Sequence, residues 1–179
     1  MSEPIAICRY LDVSPTPELA NEIDAIFFQS SNTTSFESDA TRSAFRERWL
    51  GRYLTHDPQF AYLARSGEGT VVGYLVGSVD DPAETTRFAD IGYFSSLRPL
   101  TKRFPAHLHI NVDAHHRGRG LGGRLISRFA ADAAAVGVPG IHVVTDAEAR
   151  NVGFYNRNGF AEVGRAGAGG KLVFLARTL

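Results

Sequence analysis

The sequence feature that most constrains the fold is a glycine-rich loop between a strand-like run and an apolar-striped segment. Four glycines fall within the six residues 118–123. The run 106–112 before them is strand-like, and residues 121–136 after them carry apolar side chains at helical spacing. Backbone N–H groups converge at such a helix start, where the helix dipole is also positive. The loop therefore predicts an anion site suited to phosphate or pyrophosphate.

Strand-like and helical segments alternate on both sides of this loop. Helix-start signals and apolar stripes predict four main helices. The first begins near 14–18, and the other three cover 39–53, 120–136 and 151–157. Apolar runs bounded by turn residues predict strands at 5–10, 60–64, 71–79, 108–113, 141–145, 160–163 and 172–176. We therefore expect a single α/β domain over residues 1–179 with a mixed sheet of six or seven strands and helices on both faces.

Composition excludes several functional classes. Lys plus Arg and Asp plus Glu both number 19, so the zero net charge disfavours a nucleic-acid partner. Cys8 is the single cysteine, and no run of about 18 apolar residues predicts a membrane span. The segment Met1–Pro4 does not show the basic start of a signal peptide. We expect a cytoplasmic protein that acts away from membranes.

The glycine loop can be interpreted in several ways. It has no lysine, so it is not a Walker A phosphate loop. Gly118, Gly120 and Gly123 match the G-x-G-x-x-G dinucleotide fingerprint, and Asp146 could imitate its ribose-binding acid. That fingerprint requires the strand to run directly into the first glycine, whereas residues 113–116 intervene here. An NAD-type domain and a purely structural tight turn remain as alternatives.

Two motifs in the right order give a more specific interpretation. Arg117 to Gly122 fits R-x-x-G-x-G after the strand end Ile110-Asn111-Val112, and Asn151 to Phe160 fits N-x-x-F-Y-x-x-x-G-F. Together, across about residues 106–163, they resemble the GCN5-related N-acetyltransferases (GNAT). The segments 104–110 and 137–142 resemble, within that family, the branch that includes the acetyltransferase-like domain of O-GlcNAc hydrolases.

The resemblance implies a sheet splayed at its central parallel strands and acetyl-CoA as the co-substrate. Backbone groups of the β-strand end and of the loop would bind the coenzyme, with Asn151 and Tyr155 contributing from a later helix. The implied coenzyme-binding residues are Ile110, Asn111, Val112, Arg117, Gly118, Arg119, Gly120, Leu121, Gly122, Gly123, Asn151 and Tyr155. Tyr155 matches the family's general acid, and a phenol suits protonation of a departing thiolate.

The catalytic base is less defined. His107 and His109 alternate along the predicted strand and so share one face, where either could relay a proton near neutral pH. A structural role for both is the equal alternative. His115 and His116 raise a metal site, but neighbouring loop residues point apart and no zinc-ligand spacing completes it. We therefore predict no metal.

The acceptor is predicted to be the amine of a small molecule. The segment Asp80–Pro105 carries an aromatic group of Phe88, Tyr93, Phe94 and Phe104 beside Asp90, which could form an acceptor wall or a homodimer interface. By resemblance, Phe27, Phe28 and Trp49 could also shape the acceptor pocket. The alternative functional class is a coenzyme-binding module without turnover.

Overall fold

The computed structural model describes residues 4–179. The expectation that Met1–Pro4 do not begin a signal peptide therefore falls mostly on residues outside the described part of the chain. Strands and helices alternate along the chain in the expected order. The strands are β1 (Ala6–Arg9), β2 (Ala61–Arg65), β3 (Val71–Ser78), β4 (Ala106–Val112), β5 (Gly140–Asp146), β6 (Ala161–Ala166) and β7 (Leu172–Thr178). The helices are α1 (Pro17–Ser30), α2 (Asp39–Arg46), α3 (Arg52–His56), α4 (Tyr93–Ser96), α5 (Arg98–Thr101), α6 (Leu121–Ala135) and α7 (Asn151–Arg157).

The strands form one mixed sheet in the order β1-β2-β3-β4-β5-β7-β6. Neighbours β1–β2, β2–β3, β5–β7 and β6–β7 are antiparallel, while β4 and β5 are parallel. The parallel register pairs Ala106 with Ile141 and His107 with His142, at the beginning of both strands. The mixed seven-stranded sheet is confirmed, and the continuous parallel sheet required by an NAD-type domain is not formed.

Local sequence signals explain the two longest helices. The Thr16 side chain accepts a hydrogen bond from Leu19 N–H (3.1 Å) and caps α1, while Pro17 occupies its first turn. The second of these helices, α6, ends before Gly137, whose φ of +83° is a left-handed conformation that favours glycine. The N–H groups of Gly137 and Val138 then donate to Ala134 O and Ala133 O.

One helical region departs from the expected regular pattern. Residues 39–53 were expected to form one helix, but α2 gives way to a π-helical segment, Glu47–Gly51, before α3 begins. The Arg52 N–H donates to Glu47 O, five residues back, which widens the turn. Single π turns of this kind often occur at functional sites.

The chain forms two compact units. The first comprises the residues up to Gly77 together with His109–Phe129, and the second comprises Ser78–Leu108 and Ala130–Leu179. In the first unit, α1 buries an apolar stripe of Leu19, Ile23, Ile26 and Phe27. Glu22 on the same helix accepts a hydrogen bond from the Val71 N–H (3.0 Å), which ties α1 to the start of β3.

The second unit has an aromatic core of its own. A buried cluster contains Leu97, Phe104, Ala166, Phe174 and Ala176. The ring of His142 stacks on Phe174 (4.4 Å between centroids, 16° between planes), and the His142 Nδ1 hydrogen-bonds to Phe104 O. The connection 80–105 therefore contributes core residues, in addition to the short helices α4 and α5.

Candidate active site

The glycine loop in the first unit is held from both ends by hydrogen bonds. The Asp113 N–H donates to Val72 O (3.0 Å), and Asp113 Oδ1 lies 3.0 Å from both His115 N and His116 Nδ1. The hydrogen bond to His116 is the main cause that holds the pKa of Asp113 below its usual value. Because Asp113 follows β4 directly, these bonds fix where the loop leaves the sheet.

Arg117 secures the loop to the neighbouring secondary structure. Its Nε donates to Val112 O (2.8 Å) and its Nη2 donates to Ser30 Oγ at the end of α1 (3.3 Å). Two N–H groups of this guanidinium are therefore used within the protein, and the side chain positions the loop.

The glycines of the loop are required by the backbone. Gly118 and Gly120 both have φ of +75°, a conformation that L side chains rarely adopt. A Cβ at either position would have no neighbouring atom within 4 Å, so steric crowding inside the protein does not explain the glycines. They allow the chain to enter α6 directly, and the first intrahelical bond runs from Arg124 N–H to Gly120 O.

The start of α6 contains backbone N–H groups that have no acceptor within the helix. The amides of Leu121, Gly122 and Gly123 lie in the first turn, where no carbonyl four residues earlier in the helix can accept from them. The Leu121 side chain is buried, so it can contribute only its amide to a ligand. Arg119 is exposed on the loop. The predicted coenzyme residues from 110 to 123 thus form one continuous segment of the first unit.

A groove of about 320 Å³ lies in the first unit beside the end of β4. Its lining combines aromatic rings with hydroxyl and amide groups, and comprises Phe27, Ser30, Ser31, Asn32, Thr33, Phe45, Trp49 and Asn111. The resemblance had indicated Phe27 and Trp49 for an acceptor pocket. The hydroxyl and amide residues of 30–33 were not anticipated, because the sequence showed them only as a polar break after α1.

His109 faces the same helical region of the first unit. Its Nε2 lies 3.2 Å from the hydroxyl oxygen of Tyr53, and its ring packs edge-on against Tyr53 and Trp49, with centroids 5.2 and 5.3 Å away. Burial, with a smaller contribution from the positive charge of Arg52, lowers the pKa of His109 to about 4. His109 is therefore neutral at physiological pH, and its lowered pKa makes it a weaker base than a free imidazole.

Asn111 is oriented by a buried tyrosine. Its Nδ2 donates to the hydroxyl oxygen of Tyr74 (2.7 Å), whose residue is only 1% exposed. Close approach of the two strands is possible because residue 73 is glycine: a Cβ there would lie 3.2 Å from Asn111 O. Burial raises the pKa of Tyr74, so this hydroxyl stays protonated. Sequence reasoning missed Tyr53 and Tyr74, since nothing in their local pattern distinguishes them from core aromatic residues.

In the second unit, His107 lies in the aromatic core. It is 3% exposed, and its ring packs against Phe88, Phe94 and His142 at centroid distances of 4.6, 5.9 and 5.5 Å. These contacts give His107 a packing role. Although only one residue separates it from His109 in sequence, the two rings have different surroundings, and His109 is the stronger candidate for the base.

The expectation that the rings of 80–105 line an acceptor pocket is wrong for three of them. Phe88, Phe94 and Phe104 are 1%, 5% and 7% exposed and pack inside the second unit. Tyr93 packs on Phe94 (4.7 Å between centroids), and burial is the main cause that raises its pKa. The clustering of aromatic residues was correctly read, but hydrophobic burial and not substrate binding accounts for it.

The second predicted motif forms α7 in the second unit, over the predicted residues 151–157. Tyr155 is 5% exposed and packs edge-on against Phe154 and Phe160, with centroids 5.2 and 5.4 Å away. Burial raises the pKa of Tyr155, so its phenol is protonated across the physiological range. Asn151, at the helix start, accepts a hydrogen bond from Thr145 Oγ1 (3.1 Å).

Residues 4–179 were also considered as a possible metal site or membrane span. No group of three or more His, Cys, Asp or Glu side chains in this part of the chain is placed to hold a metal ion. Within the same residues, no helix has both the length and the apolar character needed to cross a membrane.

Comparison with known proteins was made for the family and for the fold. A family model described as the acetyltransferase (GNAT) family matches residues 19–160. The structure is similar to that of SsHAT, with a TM-score of 0.75, 21% identity, and coverage of 97% of this chain and 98% of that chain. PH1933 from Pyrococcus horikoshii OT3 matches with a TM-score of 0.73, 16% identity and coverage of 98% and 99%. The PaiA N-acetyltransferase from Thermoplasma acidophilum, in complex with coenzyme A, matches with a TM-score of 0.65, 12% identity and coverage of 98% and 99%.

Proposed function

The chain belongs to the acetyltransferase (GNAT) family, and we propose that it transfers the acetyl group of acetyl-CoA to the amine of a small molecule. As a GNAT-type N-acetyltransferase, it joins the amine nitrogen to the acetyl carbon while the carbon–sulfur bond of the thioester breaks. The reaction therefore requires an anion site for the coenzyme, an acceptor for the amine proton and a donor for the departing thiolate.

The glycine loop is the proposed pyrophosphate site. The left-handed Gly118 and Gly120 lead directly into α6, and the first amides of a helix are suited to bind a phosphate group. The matching structure of the Thermoplasma acidophilum enzyme is a coenzyme A complex, which supports the same ligand class here. The main-chain amides of Ile110 and Val112 at the end of β4 would polarise the thioester carbonyl.

Three side chains are proposed for the proton transfers. His109, neutral because its pKa is about 4, would take the amine proton directly or through water. His107 is the less suitable alternative because it is packed in the core of the second unit. Tyr155, kept protonated by burial, would donate its proton to the thiolate, a role that its motif position implies.

The groove is the observation that favours a small-molecule acceptor. It has a volume of about 320 Å³ and combines three aromatic rings with hydroxyl and amide groups next to Asn111 of β4. Its volume lies at the lower end of the range found for small-ligand sites. The choice of a small molecule as acceptor rests on this groove.

The coenzyme proposal is tested with paired glycine variants. Gly120→Ala and Gly92→Ala both add a methyl group to open space, but Gly120 has φ of +75° and Gly92 has φ of −60°. A left-handed alanine costs about 1–2 kcal/mol, so Gly120→Ala should lower coenzyme A affinity by about tenfold or more in calorimetry. Gly92→Ala should bind like the wild type. Preference of the wild type for NAD over coenzyme A would overturn the proposal.

Transfer itself is measured by thiol release from acetyl-CoA with a panel of small amines and one lysine-containing peptide. Turnover with small amines supports the proposal. Faster turnover with the peptide would identify a protein acceptor, and coenzyme binding without turnover on any amine would indicate a binding module.

Three finer assignments stay predictions. Membership of the branch that resembles the acetyltransferase-like domain of O-GlcNAc hydrolases rests on the sequence segments 104–110 and 137–142. A cytoplasmic location and formation of a homodimer remain predictions from the sequence alone.

A further inference from the structure

The lining of the groove combines aromatic rings with neutral polar groups. It contains three aromatic rings, three hydroxyl groups and two amides. Within the described residues, the groove lining carries no carboxylate and no cationic side chain. An amine acceptor in this groove must therefore be bound without an ion pair from the lining itself, through ring contacts and neutral hydrogen bonds.

The aromatic rings of the groove differ in their exposure. Phe27 and Phe45 lie 5.5 Å apart between centroids at an angle of 44°, and Phe27 is almost fully buried. Phe45 and Trp49 are half-buried, so each keeps part of its ring available. Trp49 is also held edge-on by His109, which restricts its rotation. Two partly exposed aromatic rings that line the same groove favour an aromatic ligand over an aliphatic one of similar volume.

Arg46, next to Phe45 in the sequence, and Arg117 of the loop both have hydrogen-bond partners within the protein. The Arg46 Nε hydrogen-bonds to both carboxylate oxygens of Asp24 (2.7 and 2.8 Å), which neutralises both residues. The Arg117 guanidinium donates to Val112 O and to Ser30 Oγ, and Arg117 is not among the described residues that line the groove. Because the lining, over the described residues, has no cationic side chain to bind a carboxylate, it favours an acceptor without an anionic group.

Asn111 is the polar end of the groove closest to the proposed chemistry. It lies between Ile110 and Val112, whose main chain is proposed to hold the acetyl carbonyl. Because its Nδ2 points to the Tyr74 hydroxyl, its Oδ1 is directed to a different side of the amide. An amide oxygen accepts hydrogen bonds from an amine or ammonium group, and here the buried Tyr74 keeps it from rotating.

We propose that the acceptor is a primary amine on a flat aromatic body without an anionic group, with the body against Phe45 and Trp49 and the amine on Asn111 Oδ1. This inference rests on the proposed function and narrows it to one substrate class. It also makes Asn111 a residue that contacts substrate and Tyr74 its positioning residue.

The substrate class is tested with three matched amines in the thiol-release assay. Phenethylamine carries the predicted ring, cyclohexylethylamine replaces it with a saturated ring of similar size, and phenylalanine adds a carboxylate. We expect kcat/KM for phenethylamine to exceed that for each of the others by about tenfold, the effect of roughly 1.4 kcal/mol. Equal values for the two uncharged amines, or a higher value for phenylalanine, would overturn the inference.

Variants of Trp49 and of Ser43 test whether the preference for an aromatic amine arises in the groove. Trp49→Leu should remove the preference for phenethylamine over cyclohexylethylamine, and Trp49→Phe should retain most of it. Ser43→Leu, an exposed change on α2, is the matched control and should keep the wild-type ratio. Retention of the preference in Trp49→Leu would show that the groove does not bind the body.

The role of Asn111 is read from KM. Asn111→Leu should raise the KM for phenethylamine at least tenfold, and Tyr74→Phe should raise it by a smaller factor. Coenzyme A affinity should change less than twofold in Tyr74→Phe, since a merely structural loss would weaken both ligands together. Turnover restricted to aliphatic amines overturns this inference alone, whereas coenzyme binding without turnover on any amine overturns the proposed function with it.

Discussion

Two aromatic regions of the molecule have similar composition and opposite surroundings. In the first unit, the groove rings, Phe45 and Trp49, are half-buried and lie beside hydroxyl and amide groups. In the second unit, the core rings, Phe88, Phe94 and Phe104, are buried against two histidines and other apolar side chains. The difference shows that aromatic clustering identifies a packed region, and that retained exposure next to polar groups identifies a binding surface.

The largest expected difference between the two regions is in stability. Phe88→Ala leaves a cavity among buried rings and should lower the free energy of unfolding by about 3–5 kcal/mol. Phe45→Ala should lower it by about 1 kcal/mol, because part of this ring is already exposed. Urea unfolding of both variants measures the difference. Equal decreases in the free energy of unfolding would show that Phe45 is packed as tightly as Phe88.

Tyr155 is an exception to this difference between the two regions, because it is a buried residue of the second unit with a proposed chemical role. Tyr155→Phe preserves the ring packing against Phe154 and Phe160 but removes the proton donor. We expect kcat to fall about 100-fold, the lower range for loss of general acid catalysis, with little change in coenzyme affinity. Single-turnover thiol release measures this fall. A rate within threefold of the wild type would leave Tyr155 with a packing role only.

The environment of His109 in the first unit can be tested through the pH dependence of the free energy of unfolding. Its folded-state pKa of about 4 lies below the unfolded value near 6.5, so the unfolded chain binds the proton more readily between these values. The stability from neutral His109 is present above about pH 6.5 and is lost as pH falls toward 4. At pH 5 the loss should be about 2 kcal/mol, and His109→Gln should not show it. Identical pH profiles of unfolding for both proteins would contradict the burial of this ring.

The smallest effects concern one cation beside each aromatic region. The Arg42 guanidinium carbon lies 3.6 Å from the ring centroid of Phe28 in the first unit, and that of Arg103 lies 5.3 Å from Phe104 in the second. Arg42→Gln should cost about 0.5–1 kcal/mol of stability and Arg103→Gln less, because cation–π attraction weakens with distance. Thermal unfolding checks the order, and neither variant should alter kcat.

Local patterns were sufficient to predict much of the fold. The glycine loop, α7 over 151–157 and the end of α6 at Gly137 follow from turn residues, caps and helical spacing that lie within a few residues of one another. The π-helical segment was not predictable in this way. Its wider turn brings Trp49 and Tyr53 onto one histidine, which depends on β4 more than fifty residues later in the chain.

The candidate site was predictable where a motif supplies the main chain and not where side chains from distant segments meet. Residues 110–123 are continuous, so their shared location followed from the sequence. The partnership of Tyr74 with Asn111, and the separate surroundings of His107 and His109, depend on which strands are neighbours in the sheet. Tertiary packing decides such contacts, and a single sequence contains no local signal for them.

The π-helical segment also bears on how a groove of this kind could diverge. A π-helical turn holds about one residue more than an α-helical turn, so deletion of one residue within Glu47–Gly51 would favour a return of this segment to α-helical geometry. Trp49 lies inside this segment and Tyr53 lies in α3 after it, so the deletion would change the position of Trp49 relative to Tyr53 and to the groove. A single-codon deletion could thus redirect substrate choice while the coenzyme loop, on a different segment, stays as it is.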